Sequence, residues 1–182
     1  MLIRPAAAAD APAIAAIYAH YAAHTAITFA AEAPTAEAYA ARIADERFPF
    51  LVAQEKGAVC GFVYAAPFRQ KEAYRWDVEL TIYLAPGGEG RGTGAQLMEA
   101  CLRLLRAQGY LNAYSCITLP NARSVGLHRR FGFEELGVFR KTGYKLGKWH
   151  DVIWMGKVLG EIDGEPAEPR PLSAIPSDDK LP

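Results

Sequence analysis

The stretch Tyr74–Tyr110, YRWDVELTIYLAPGGEGRGTGAQLMEACLRLLRAQGY, decides how the chain is to be read. Its first eleven residues alternate as a strand does. Trp76, Val78, Leu80, Ile82 and Leu84 fall on one face, and Arg75, Asp77, Glu79, Thr81 and Tyr83 on the other. Five glycines then crowd into the eight residues Gly87–Gly94, and an apolar-faced helix follows. A turn needs one or two glycines. A backbone that must close on a bound phosphate uses more, because glycine adopts positive φ and leaves room for close approach. A helix N-terminus adds unpaired N–H groups and partial positive charge, which favour an anion. The spacing matches neither the lysine-bearing nucleotide loop nor a dinucleotide fingerprint, and no lysine follows Gly94, which argues against phosphoryl transfer. A plain flexible connection remains the competing reading of the loop alone.

Outward from this unit, the rest of the chain resolves into short elements. Residues 2–4 read as a strand ended by Pro5, and Asp10 is placed to cap a helix from Ala11 to about His24. Thr35 is placed to cap a second helix, with Glu37 near its positive end. FLVAQEKGAVCGFVYAAPF predicts two strands joined at Lys56-Gly57. After the glycine-rich unit come a strand (LNAYSCITL), a helix capped by Asn121, and two closing strands. The order β-α-α-β-β-β-α-β-α-β-β predicts a mixed α/β fold, a mixed sheet covered by helices. The five prolines after Gly160 predict a loosely attached or disordered tail, residues 160–182, beyond a domain of residues 1–159.

Composition narrows the function classes. The 20 lysines and arginines equal the 20 aspartates and glutamates, so no net field draws the chain to nucleic acid or a membrane. No apolar run approaches the roughly 20 residues of a membrane span, and the N-terminus lacks the hydrophobicity of a signal peptide. Cys60, Cys101 and Cys116 have neither metal nor redox-pair spacing, which predicts reduced, buried thiols in the cytoplasm. Nothing has the order of a Ser-His-Asp hydrolase or the spacing of a metal site.

Two motifs together go further. EGRGTGAQL, between a long strand and a helix, resembles the [QR]-x-x-G-x-[GA] pyrophosphate loop of the GCN5-related N-acetyltransferases, with Gly92 and Gly94 at the glycine positions. Some thirty residues on, NARSVGLHRRFGF resembles the N-x-x-[AS]-x-x-x-[YH]-x-x-x-GF segment of the same superfamily. ITF, YRWDVELTIYL, ITLPNARSVGLHRRFGF and GYKLGKWHDV are more closely similar to its phosphinothricin and methionine-sulfoximine branch. The resemblance implies transfer of acetyl from acetyl-CoA to the α-amine of a small amino-acid analogue, with no metal, on the acyl-CoA N-acyltransferase fold, by a homodimer. One position departs: Glu89 stands where the loop usually has Gln or Arg, and a carboxylate beside a pyrophosphate repels it unless it points away.

The resemblance also assigns residues. The pyrophosphate would lie on the backbone of Arg91, Gly92, Thr93, Gly94 and Ala95, with Asn121 and Ser124 nearby. The pantetheine arm would run as an extra strand along residues 78–84, beside Ile82 and Leu84, where a backbone N–H would stabilise the oxyanion. An alkylammonium, pKa roughly 8 to 10, must lose a proton before it can attack. Glu79 matches the family's general base, and its bland alternative is an ion pair with Arg75 or Arg140. Asp77 is the rival carboxylate on that face. Arg75 is placed to hold a substrate carboxylate, and Phe29 matches an aromatic that covers the substrate; otherwise they are a strand-end arginine and a core anchor. His128 falls where many members carry a tyrosine that protonates the leaving thiolate, and could serve as acid or proton shuttle. Two alternatives stay open: another amine (polyamine, drug or protein N-terminus), or a CoA-binding module without catalysis.

Overall fold

The structure, a computed structural model, describes residues 1–176. Its spine is a seven-stranded sheet in the order β1-β2-β3-β4-β5-β7-β6. The strands are β1 (Leu2–Pro5), β2 (Phe50–Glu55), β3 (Ala58–Pro67), β4 (Asp77–Leu84), β5 (Asn112–Thr118), β6 (Glu134–Lys145) and β7 (Lys148–Val158). The helices are α1 (Ala11–His24), α2 (Ala36–Ile43), α3 (Thr93–Gln108) and α4 (Ala122–Arg130). All neighbouring strands run antiparallel except β4 and β5. Local chemistry explains several boundaries. Lys56 and Gly57 both take positive φ, 49° and 84°, as the tight hairpin between β2 and β3 requires. The Thr35 hydroxyl accepts the Ala38 N–H at 3.2 Å and caps α2.

Both faces of the sheet are buried. On one, α3 lays Leu97, Met98, Cys101, Leu102 and Leu105 on Val63, Val78, Ala113 and Met155. On the other, Ile14 and Tyr21 of α1 and Tyr39 of α2 meet Phe50, Phe62 and Tyr64. The alternation of β4 follows from this: Val78 and Leu80 belong to the first core, while Tyr83 packs against the second. A strand flanked by two helical layers leaves little of its surface to water, so a carboxylate at Glu79 is half-buried.

Three local expectations are corrected. Asp10 does not cap α1 with its side chain; its carboxylate takes two hydrogen bonds from Arg4, at 2.7 and 2.8 Å, and one from the Ala7 N–H. A bidentate guanidinium outcompetes a helix N–H for the same oxygens. β4 begins at Asp77, because residues 72–74 form a 3-10 turn, so Arg75 lies outside the strand alternation. The segment from Gly160 to Pro176 is docked, not loose. Ile175 is 3% exposed within the α3-side core. The Arg170 N–H donates to the Gln108 carbonyl, and the Leu172 N–H to the Glu46 carbonyl. Prolines remove donors without preventing burial of the apolar residues between them. Residues 177–182 lie outside the described residues.

Candidate active site

β4 and β5 are paired only at Asp77–Asn112, Val78–Ala113 and Glu79–Tyr114. Beyond this point each strand stays with its other neighbour: β4 pairs with β3 to Leu84, and β5 with β7 to Thr118. A long 3.4 Å bond from the Ser115 hydroxyl to the Leu80 carbonyl is the last link across the gap. The sheet therefore opens at its centre into a cleft of about 590 Å³, lined by both parted strands, the glycine loop and α4. An unpaired strand edge inside a cleft offers backbone N–H and C=O groups to an extended ligand.

The glycine loop closes one end. Gly92 is the N-cap of α3 with φ 82°, and Gly90 has φ 81°. These values would strain any residue with a Cβ. The first N–H groups of α3 have no intrahelical acceptor and face an anion site by construction. Gly90, Gly92, Gly94 and Ala95 line the cleft with Ile82 and Leu84. A side chain at Gly94 would meet Leu127 at 3.3 Å, so its absence lets α3 and α4 approach. Asn121 caps α4 by accepting the Ser124 N–H at 3.2 Å, and both residues also line the cleft. The side chains of Arg91 and Thr93 lie elsewhere. Arg91 is 3.8 Å from Glu55, and the buried Thr93 hydroxyl donates to the Met1 sulfur. Only their backbone bears on the loop. Glu89 is among the residues that line the cleft, with its charge offset by Arg123 at 3.7 Å.

Glu79 sits where the strands part. Arg75 and Arg140, its expected ion-pair partners, are engaged elsewhere: Arg75 with Glu168 at 2.7 Å, and Arg140 with Asp151 at 3.2 Å. Burial pushes the Glu79 carboxyl above the usual carboxylate range, and the field of Arg69 opposes this more weakly. Asp77 is occupied, accepting the Asn112 side-chain N–H at 2.8 Å at the closed end of the strand pair. Neither Arg75 nor Asp77 lines the cleft. Phe29 also stays out of it; 40% exposed, its ring lies on Gly143 and 6.2 Å from the His150 ring. Its neighbour Ile27 lines the cleft instead.

His128 lines the cleft and is 2% exposed. Its Nδ1 lies 2.8 Å from the Ser124 carbonyl, which can only accept, so Nδ1 carries the proton. Nε2 is then an acceptor, buried without a partner. Burial also lowers the ring's pKa. With this tautomer the neutral ring has no proton at Nε2 to give until it has first taken one there, so the resting geometry suits the shuttle of its two expected roles.

Two residues near Glu79 had drawn no role. Cys116 keeps an exposed surface; it lines the cleft, where partial desolvation by the surrounding walls and the Glu79 charge push its thiol up to about 11. Arg69, exposed after β3, acts electrostatically on both Glu79 and Cys116. The clustering of Arg69 with Lys71 before the substrate strand was a signal, but a weak one, because nothing in spacing shows which cation faces the carboxylate. No group of three or more His, Cys, Asp or Glu that could hold a metal occurs among the described residues. No helix among them is long and apolar enough to cross a membrane.

A parted parallel strand pair, a glycine-lined helix N-terminus and a half-buried carboxylate thus meet in one cleft. Residues 3–154 match the family model described as an acetyltransferase (GNAT) domain, and the chain belongs to that family of N-acetyltransferases. It is 37% identical over 177 residues to the phosphinothricin N-acetyltransferase of Streptomyces viridochromogenes, covering 95% of this chain and 93% of the relative. It is 35% identical over 157 residues to the L-methionine sulfoximine/L-methionine sulfone acetyltransferase of Pseudomonas aeruginosa, covering 84% and 91%. A phosphinothricin acetyltransferase from Sinorhizobium meliloti, solved in complex with AcCoA, superposes with a TM-score of 0.87 at 33% identity. That match covers 97% of this chain and 96% of the other.

Proposed function

We propose that the protein transfers acetyl from acetyl-CoA to the α-amine of a small amino acid of the phosphinothricin or methionine-sulfoximine type, with Glu79 as general base. The observation that carries this reading is the pairing of a half-buried Glu79, which makes no salt bridge among the described residues, with Arg69 in electrostatic range. An amino-acid zwitterion presents the complementary charges: its ammonium suits Glu79 and its carboxylate suits Arg69. Polyamines lack the carboxylate and leave Arg69 unmatched.

In this reading the backbone of the glycine loop and the first turn of α3 hold the pyrophosphate, and the open edge of β4 holds the pantetheine arm. Glu79, directly or through a water, takes one proton from the substrate ammonium. The freed nitrogen attacks the thioester carbonyl, and a backbone N–H of β4 stabilises the oxyanion. The C–S bond breaks, and the thiolate receives the second proton lost by the attacking nitrogen. His128 Nε2 is a relay in that transfer, consistent with its vacant lone pair. No acyl-enzyme forms, so Cys116 plays no covalent part.

A second copy of the chain is the proposed macromolecular partner. The β6–β7 hairpin exposes Leu136, Phe139, Tyr144, Leu146 and Trp149, each more than half exposed. Large apolar side chains exposed together on one hairpin are the kind of surface that marks an interaction site. The three free cysteines suit a reducing, cytoplasmic setting.

The test is thiol release from acetyl-CoA with phosphinothricin, methionine sulfoximine, methionine sulfone, glutamate, spermidine and a short peptide. Turnover confined to the carboxylate-bearing amino acids, and lost on Arg69→Met, is expected. Turnover of spermidine or peptide alone would keep the family and remove the substrate class. Acetyl-CoA binding with silence across the panel would favour a binding module.

A further inference from the structure

The loop after α1 brings Ile27 into the lining of the cleft, yet it has no regular structure of its own. What holds it comes from the far edge of the sheet. The ammonium of Lys145, the last residue of β6, donates to the carbonyls of Ala22, Thr28 and Ala30 at 2.7, 2.7 and 2.9 Å. Three acceptors around one nitrogen use all three protons of an ammonium. Ala22 belongs to the last turn of α1, whose carbonyls have no intrahelical donors and favour a cation. Thr28 and Ala30 bracket Phe29, and the Phe29 ring covers the bare backbone of Gly143, two residues before Lys145. Within the loop, the Thr28 hydroxyl is 2.6 Å from the Tyr18 hydroxyl and accepts the Ala30 N–H.

We infer that Lys145 is a positioning residue for the amine substrate: by tying the end of α1 to the carbonyls of Thr28 and Ala30, it fixes the loop that brings Ile27 to the wall of the cleft that Glu79 also lines. Lys145 itself does not line the cleft, so any effect it has on substrate is transmitted through the elements it ties together. The inference rests on the amine-acetyltransferase reading for its kinetic consequence but not for the loop contact itself.

The experiment is amide hydrogen exchange on the full chain, wild type against Lys145→Met, joined to steady-state kinetics. Protection of residues 112–118 in β5 reports whether the variant is folded. The expected result is exchange at residues 26–31 faster by about tenfold or more, since Lys145→Met removes three charge-assisted hydrogen bonds and even one is worth about that much. β5 stays protected, the KM for the amine rises by a similar factor, and the KM for acetyl-CoA is unchanged. Gly143→Ala, whose Cβ would overlap the Phe29 ring, is expected to raise the amine KM with the lysine intact. Unchanged exchange at 26–31 overturns the inference, and so does equal change in both KM values. Loss of β5 protection in Lys145→Met also overturns it, since the lysine would then support the whole fold. If the wild type acetylates no amine, the substrate reading fails while the exchange result still decides the loop contact.

Discussion

Glu79 joins a functional demand to a cost in stability. Its folded pKa is raised because desolvation outweighs the pull of Arg69. The folded chain therefore binds this proton more tightly than the unfolded chain. Stability from that proton is fully present below the ordinary carboxylate pKa, about 4.3, and is lost as pH rises through the folded value. At pH 7 the charged side chain opposes folding. Glu79→Gln is accordingly expected to melt above wild type at pH 7, with the gap closing as the pH falls toward 4 in a thermal-melt series. A variant that melts lower at pH 7 would mean the carboxylate has a stabilising partner. The sequence placed this carboxylate correctly on β4, because two-residue alternation needs no knowledge of neighbours. It misplaced Arg75, which looks like one more step of the same strand. The alternation ends at Asp77, and Arg75 instead meets Glu168, ninety-three positions away. No local pattern encodes a contact of that span. His128 was legible as a position but not as a tautomer, which depends on the carbonyl of Ser124 one helical turn earlier.

At the scale of elements, the glycine-rich turn was the most legible feature. Positive φ at Gly90 and Gly92 is a local requirement, so residue type reports it directly. The parting of β4 and β5 was not legible from strand patterns; it depends on where pairing stops, and strand patterns stop at neither Glu79 nor Tyr114. The hairpin β6–β7 raises a question of a different kind. It carries exposed Leu136, Phe139, Tyr144, Leu146 and Trp149, and β6 is the last strand of the sheet. An edge strand with apolar side chains invites pairing with another surface. Sedimentation of the wild type is expected to give twice the 19.8 kDa chain mass, and Phe139→Asp or Trp149→Glu a monomer. A monomeric wild type would leave that face to some other partner.

Across the whole molecule, the fold class and element order followed from the sequence because most boundaries carry local signals, caps, turns or glycines, even where the element itself, such as β2, is a continuous buried run and not an alternating one. The attachment of the C-terminal segment did not. Pro-rich composition predicts little regular structure, and there is little: one 3-10 turn, Leu172–Ala174, among residues 160–176. Yet Ile175 is buried, and the Trp76 ring N–H donates to the Ala167 carbonyl at 2.8 Å. Lack of regular structure and lack of attachment are separate properties, and composition speaks only to the first. The segment also braces the turn before β4 through Arg75 and Trp76. The molecule is thus one cleft in a split sheet: the glycine loop at one end, the Glu79–Arg69 pair toward the other, and a loop tied by Lys145 above it.

The central claim is that Glu79 deprotonates an amino-acid amine for direct attack on acetyl-CoA. Its most direct test is the pH dependence of kcat/KM for phosphinothricin, wild type against Glu79→Gln, with acetyl-CoA affinity measured in parallel. The account predicts that wild-type activity falls on the acid side as Glu79 takes up its proton, over a range above that of an ordinary carboxylate. The variant should lose activity by about 100-fold or more, most severely at the lower pH, while its acetyl-CoA affinity stays the same. A variant that keeps wild-type activity and the same acid limb would contradict it.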